Sequence, residues 1–128
     1  IIRSVAASPC DGLLISKRDT PKISALVIKA SAGTLFKAPL IRLEKLEESL
    51  KQLQKLGTEI CVLDSNASAH FAALASASRI VYVLGNETEG VSREIKKMAT
   101  QRVAIPMFRG VESLNVAVTA ALVAFNGV

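Results

Sequence analysis

The sequence predicts an α/β fold, a mostly parallel sheet with helices on both faces. Three observations carry this. Short β-rich runs alternate with helical runs along all 128 residues. The strand candidates are largely apolar, and Ile80 to Leu84 is a continuous apolar run, as in a sheet covered on both faces. Between two of them, Leu43, Leu46, Leu50, Leu53 and Leu56 recur at helical spacing.

The elements follow in order. Ile1 to Ser8 reads as a helix caught part-way and closed by Pro9. Gly12 to Ser16 is a short buried strand candidate. Thr20-Pro21 offers an N-cap and a first-turn proline for a helix reaching about Ala30. Ser31-Ala32-Gly33 is a turn, and Pro39 to Leu43 the next strand. The leucine-striped helix follows, with Glu44, Glu47 and Glu48 early, Lys51 and Lys55 late, and Gly57 past its end. Glu59 to Leu63 is a strand, Asp64 to Ser68 a polar loop, and Ala69 to Ala75 a short helix. Arg79 to Leu84 is a strand, Gly85 to Gly90 a loop, and Ser92 caps a helix to about Ala99. Arg102 to Ile105 is a strand, Pro106 to Glu112 a loop, and Ser113 caps a last helix running to Phe125.

That last helix is apolar on nearly every face. Such a helix is buried all round or buried partly in a partner. The second is favoured, because a chain this short has little interior to surround a helix.

Composition narrows the chemistry. With 50% hydrophobic and 21% charged residues, the chain can fill a core. A net charge of +5 is compatible with an anionic partner. Two cysteines, Cys10 and Cys61, exclude a disulfide framework and a four-cysteine zinc site, and read as small packed hydrophobes. The single histidine, His70, excludes multi-histidine metal sites and reads as a loop or surface residue. No Trp and one Tyr argue against an aromatic base-stacking platform. No apolar run approaches the ~18 residues of a membrane span, and no secretory signal opens the chain. The expectation is a cytoplasmic protein with reduced thiols and no membrane partner. P-loop, dinucleotide-fold and nucleophile-elbow motifs are all missing from the sequence.

Two loops stand out, each just after a strand. Open α/β sheets bind ligands at the carboxyl ends of their strands. The first is Leu84-Gly85-Asn86-Glu87-Thr88-Glu89-Gly90, where two glycines bracket polar residues. The second runs from Ile105-Pro106-Met107 through Gly110 to Ser113-Leu114-Asn115-Val116. Each alone reads equally as an ordinary turn or helix cap.

Together, in this order and spacing, they resemble motifs 2 and 3 of the SpoU/TrmH-type RNA ribose methyltransferases of the SPOUT class. Ile1-Ile2-Arg3-Ser4 resembles the end of their motif 1, whose arginine falls on Arg3. The resemblance covers essentially the whole chain, taken as a single methyltransferase domain over 1–128. The family's motif 1 asparagine and the strand before it would precede Ile1, so the expectation is a domain lacking its first strand.

The resemblance implies a deep trefoil knot in the C-terminal part, S-adenosylmethionine as cofactor, and methyl transfer to a ribose 2′-hydroxyl of tRNA or rRNA. The alternative it leaves open is a non-catalytic RNA- or cofactor-binding relative. It implies cofactor contacts at Leu84, Gly85, Asn86, Gly90, Ile105, Met107, Ser113 and Leu114. It implies catalytic roles for Arg3, Glu87 and Asn115. Arginine is a poor base because its pKa exceeds ~12. A bidentate clamp on the adjacent phosphate suits Arg3 better, with stabilisation of the developing oxyanion. Glu87 and Asn115 match positions that support the site. A homodimer is implied, with RNA and not DNA as partner. Lys17, Arg18, Lys22, Lys29 and Arg109 are candidate phosphate contacts, or ordinary solvated charges.

Overall fold

Every strand pair among the described residues is parallel. The computed structural model describes residues 1–18, 22–71, 79–86 and 88–126. They group into two units, Ile1–Leu46 with Ala117–Val128, and Glu47–Val116.

In the first unit, helix α1 (Ile2–Ala6) precedes strand β1 (Leu13–Ser16), helix α2 (Ala25–Ala30), a 3-10 turn (Thr34–Phe36) and strand β2 (Leu40–Leu43). Leu13 pairs with Leu40 and Ser16 with Leu43. Gly12 enters this pair where a Cβ would stand 2.7 Å from the Pro39 carbonyl oxygen, so only glycine fits without a shift. α1 packs on the 3-10 turn, and Val5, Leu35 and Ala38 are buried. Ser31-Ala32-Gly33 is the expected turn, with Ala32 and Gly33 at φ 53° and 74°. The buried Ser31 holds it by donating to the Ile28 carbonyl at 2.8 Å. At the mouth of the sheet Lys17 is ion-paired with Glu44.

α2 is shorter than expected. Its N-cap is Ser24, in extended conformation, so residues 22–24 lie outside the helix. The Thr20-Pro21 cap falls outside the described residues.

The second unit holds helix α3 (Leu46–Lys55), strands β3 (Glu59–Leu63), β4 (Ala69–His70) and β5 (Ile80–Val83), helix α4 (Arg93–Met98) and strand β6 (Gln101–Ala104). The strand order is β4-β6-β3-β5. β3 has a neighbour on each side, and Ile60, Cys61 and Val62 are fully buried. Burying side chains the size of Ile60 and Val62 contributes about 1.5–3 kcal/mol each. Thr100 locks the turn into β6: its amide donates to the Ile60 carbonyl and its hydroxyl accepts from the Ile60 amide, at 2.8 and 2.7 Å.

Three expectations need correction. Leu43, counted both in the Pro39 to Leu43 strand and in the leucine stripe, belongs to β2 alone, and Leu56 at the far end of the stripe is 68% exposed; Leu50 carries the burial. Ala69 and His70 form a strand rather than a helix start, because they pair with Val103 and Ala104 of β6. Residues 72–75 of that segment lie outside the described ones. The last helix, α5 (Val116–Ala124), starts three residues later than a Ser113 cap would place it. Asn115 stands directly before it, and Asn caps as well as Ser does.

α5 is apolar throughout, as expected. Ala120, Val123 and Ala124 are buried, while Val118, Leu122 and Phe125 remain 43–49% exposed. Spacings of four and three place those exposed residues on one stripe. Among the described residues, no helix is long and apolar enough to cross a membrane.

Candidate active site

The second unit brings the two singled-out loops to one end of its sheet. β5 and β6 both pair with β3 in parallel, one on each side. Both loops therefore leave at the same, carboxyl end, with strand ends about 10 Å apart across β3. From β3 the chain passes to the far edge, returns to β5, and crosses back to β6. Such reversals in strand order open the crevice where α/β sheets bind ligands.

The first loop is shaped by its glycines for two different reasons. A Cβ on Gly85 would stand 2.3 Å from the carbonyl carbon of Gly90 and 2.6 Å from the Val91 nitrogen. Nothing larger than glycine fits against that backbone. Gly90 has φ 69°, the left-handed region that side chains avoid. Between them, the Asn86 side-chain oxygen accepts from the amides of Thr88 and Glu89 at 2.9 and 2.6 Å. The Gly90 amide closes the loop on the Asn86 carbonyl at 3.1 Å. Asn86 thus acts through its own loop's backbone, as an Asx turn. Leu84 and Gly85 are half-buried, and Asn86 and Gly90 exposed. Glu87 lies outside the described residues. Ser92 then caps α4, its hydroxyl accepting from the Ile95 amide at 3.4 Å, as expected.

The second loop leaves β6 through half-buried Ile105 and Met107. It turns at Phe108–Val111, where the Val111 amide donates to the Phe108 carbonyl at 3.2 Å. Both central residues have positive φ, Arg109 at 58° and Gly110 at 76°. Consecutive positive φ values are the mark of a type I′ turn, and a non-glycine there is unusual. The sequence signalled Gly110 but not the strain at Arg109. Ser113, Leu114 and Asn115 follow, all exposed, Leu114 at 37%.

The second unit therefore brings together Leu84, Gly85, Asn86, Gly90, Ile105 and Met107 on two loops of one sheet end, with Ser113, Leu114 and Asn115 further along the second loop. Arg3 is exposed on α1 in the first unit.

Two other groups bear on the chemistry. Cys61 is fully buried in β3, and burial, with Glu59 nearby, pushes its thiol up to about 11, so it is inert packing as expected. Asp64, with a side chain only 7% exposed, meets the Lys96 ammonium at 3.0 Å. That hydrogen bond holds its carboxyl below the ordinary range, against the opposing effect of burial.

Lys96 belongs to a feature that carried no expectation from the sequence. Arg93, Lys96, Lys97, Ala99 and Arg102 line an open depression of ≈ 480 Å³. Asn66, Ala67, Ser68 and Arg102 line a second of ≈ 340 Å³. The available signal was three cations within five residues of one short helix.

Comparison with known proteins agrees with the fold. The profile of the SpoU rRNA Methylase family matches residues 1–125. An uncharacterised tRNA/rRNA methyltransferase of Mycolicibacterium vanbaalenii is 35% identical over 123 residues, covering 96% of this chain and 39% of the relative. The SpoU methyltransferase AviRb of Streptomyces viridochromogenes, solved with AdoMet, superposes with a TM-score of 0.87 at 23% identity, over 98% of this chain and 51% of that one. A solved RNA 2′-O ribose methyltransferase superposes with a TM-score of 0.86 at 25% identity, over 98% of this chain and 48% of that one. The chain thus spans about two fifths to half the length of these relatives. With a profile match over nearly every residue and the parallel α/β fold of the solved members, the chain belongs to the SpoU rRNA Methylase family.

Proposed function

We propose that the chain is the S-adenosylmethionine-binding, catalytic part of a methyltransferase that acts on tRNA or rRNA, with a ribose 2′-hydroxyl as acceptor. The observation that carries this reading is the pair of glycine-shaped loops at one sheet end, in the family's order. The two units act as one domain in this reading, and the C-terminal knot rests on the resemblance alone.

The residues present suit the cofactor. Half-buried Ile105 and Met107, with Leu114, offer apolar walls for an adenosyl group, and glycine-lined backbone lets it approach amides closely. When bound, the cofactor supplies an activated methyl group on sulfonium, so that the protein's task is mainly to position the acceptor. Arg3 clamps the phosphate beside the acceptor ribose and stabilises charge developing on its oxygen. Glu87 and Asn115 support that arrangement by their motif positions. The exposed Val118, Leu122 and Phe125 stripe on α5 favours a homodimer, because an uncovered apolar face invites association.

The test is methyl transfer from tritiated S-adenosylmethionine to bulk tRNA and rRNA, followed by digestion to nucleosides. Label in 2′-O-methylnucleosides is expected. Label confined to base-methylated nucleosides would overturn the ribose assignment. Cofactor binding without transfer would make the chain a non-catalytic relative.

A further inference from the structure

We propose that the face formed by α4, the start of β6 and the loop after β3 is a docking surface for the phosphodiester backbone of RNA. Arg93, Lys97 and Arg102 are its cations outside any ion pair among the described residues, and Asn66 and Ser68 its neutral donors. The proposal deepens the methyltransferase reading and rests on it for the choice of RNA.

The placement is a product of the fold. Arg93, Lys96 and Lys97 lie three and four residues apart, on one face of α4. Like charges at that spacing repel by about 0.2–0.5 kcal/mol per pair, so the arrangement works against helix stability. Arg102 is drawn in from β6, where it pairs in register with Val62, two residues before Asp64. It lines both depressions and joins them into one strip along the Asp64–Ser68 loop. Asp64 forms an ion pair with one cation of the four, Lys96, and its charge also acts on Arg102 from outside ion-pair distance. Among the described residues, Arg93, Lys97 and Arg102 form no ion pair, and all three are exposed. The nearest acidic residue on the helix itself is the exposed Glu94.

The shape suits a strand better than a single small anion. The strip is open, extends over two depressions, and mixes unpaired cations with side-chain amide and hydroxyl donors. Backbone-positioning contacts to RNA use the same groups. Its location suits the function as well. α4 begins three residues after Gly90, and β6 ends just before Ile105, so both cation-bearing elements are continuous with the two loops. RNA held here extends recognition beyond the nucleotide being modified.

The test is fluorescence anisotropy of a labelled RNA hairpin with the whole chain, across ~50 to ~200 mM salt. The variant carries Arg93→Gln, Lys97→Gln and Arg102→Gln. Lys96 is kept, because removing it would strand the Asp64 carboxylate. Three lost phosphate contacts should flatten the slope of log affinity against log salt by about 2–3 and weaken binding roughly ten- to hundred-fold at the lower salt. Should the triple variant fail to fold, Lys97→Gln alone should flatten the slope by about 1. An unchanged slope in a folded variant overturns the proposal, as does wild-type chain that binds no RNA. Polyglutamate or inorganic phosphate displacing the hairpin as readily as unlabelled RNA also overturns it. S-adenosylmethionine binding, measured in parallel, should be the same in wild type and variant. Its absence from both, with the salt-slope change intact, would sink the methyltransferase reading and leave the docking surface standing.

Discussion

Gly85 and Gly90 face each other so closely that a single added methyl group on Gly85 would overlap the carbonyl carbon of Gly90, at 2.3 Å. The neighbour is backbone, so it cannot rotate away. Gly85→Ala should therefore open the Leu84–Gly90 loop and cost about 1–3 kcal/mol of stability, the usual range for overpacking. Gly90→Ala acts through a different cause, φ 69°, and should cost about 1–2 kcal/mol. Urea unfolding measures both. Wild-type stability in Gly85→Ala would mean that the loop adapts without cost.

The Asp64–Lys96 pair sets an acid dependence. The folded carboxyl has its pKa held down, so its contribution is full above the ordinary carboxylate value of ~3.9 and is lost as pH falls through the lowered folded value. Lys96→Met removes the partner and should cost about 2 kcal/mol at neutral pH, typical of a charged hydrogen bond. Urea unfolding at neutral pH and at about pH 3 should show the gap between wild type and Lys96→Met narrowing in acid. A gap that does not change with pH would exclude the pair as its source.

Cys61 should be silent toward thiol reagents in the folded protein. With its thiol pushed up to about 11, roughly one in a thousand is ionised at pH ~8, and the side chain is fully buried besides. Half-exposed Cys10 should react first, and Cys61 only at the rate of unfolding. Two thiols titrating at equal rates under native conditions would contradict the packing of β3.

Leu122→Glu places a charge in the exposed stripe of α5. If that stripe is the dimer face, sedimentation should show a dimer for the wild type and a monomer for the variant. A wild type that sediments as a monomer would remove the stripe from any dimer contact.

Much of this fold was legible because the burial signals are local. β1, β2, β3 and β5 are short, mainly apolar segments bounded by turn residues, and each lies within the predicted strand, while β6 (Gln101–Ala104) sits one residue earlier than the predicted Arg102 to Ile105. β4 was not legible: Ala69 and His70 carry no strand pattern and pair only because β6 arrives some thirty residues later. Leu56 matched the leucine stripe in sequence, yet the helix ends at Lys55 and leaves it exposed. At the site, Gly85 and Gly90 were legible as glycines, but the reason for each is geometric: a close approach at one, a dihedral at the other. The Arg93, Lys97 and Arg102 face was missed because its charges sit on a helix and a strand, and only packing collects them.

The central claim is that the loops after β5 and β6 hold S-adenosylmethionine. Its most direct test is calorimetric titration of the cofactor into the folded wild-type chain, beside Gly85→Ala and Leu114→Asp. Saturable binding by the wild type is expected, with loss of at least ten-fold in affinity when Leu114→Asp buries a charge against the adenosyl group, about 1.4 kcal/mol or more. A folded wild-type chain that takes up no cofactor, or a folded Leu114→Asp that binds as tightly as wild type, would contradict the claim.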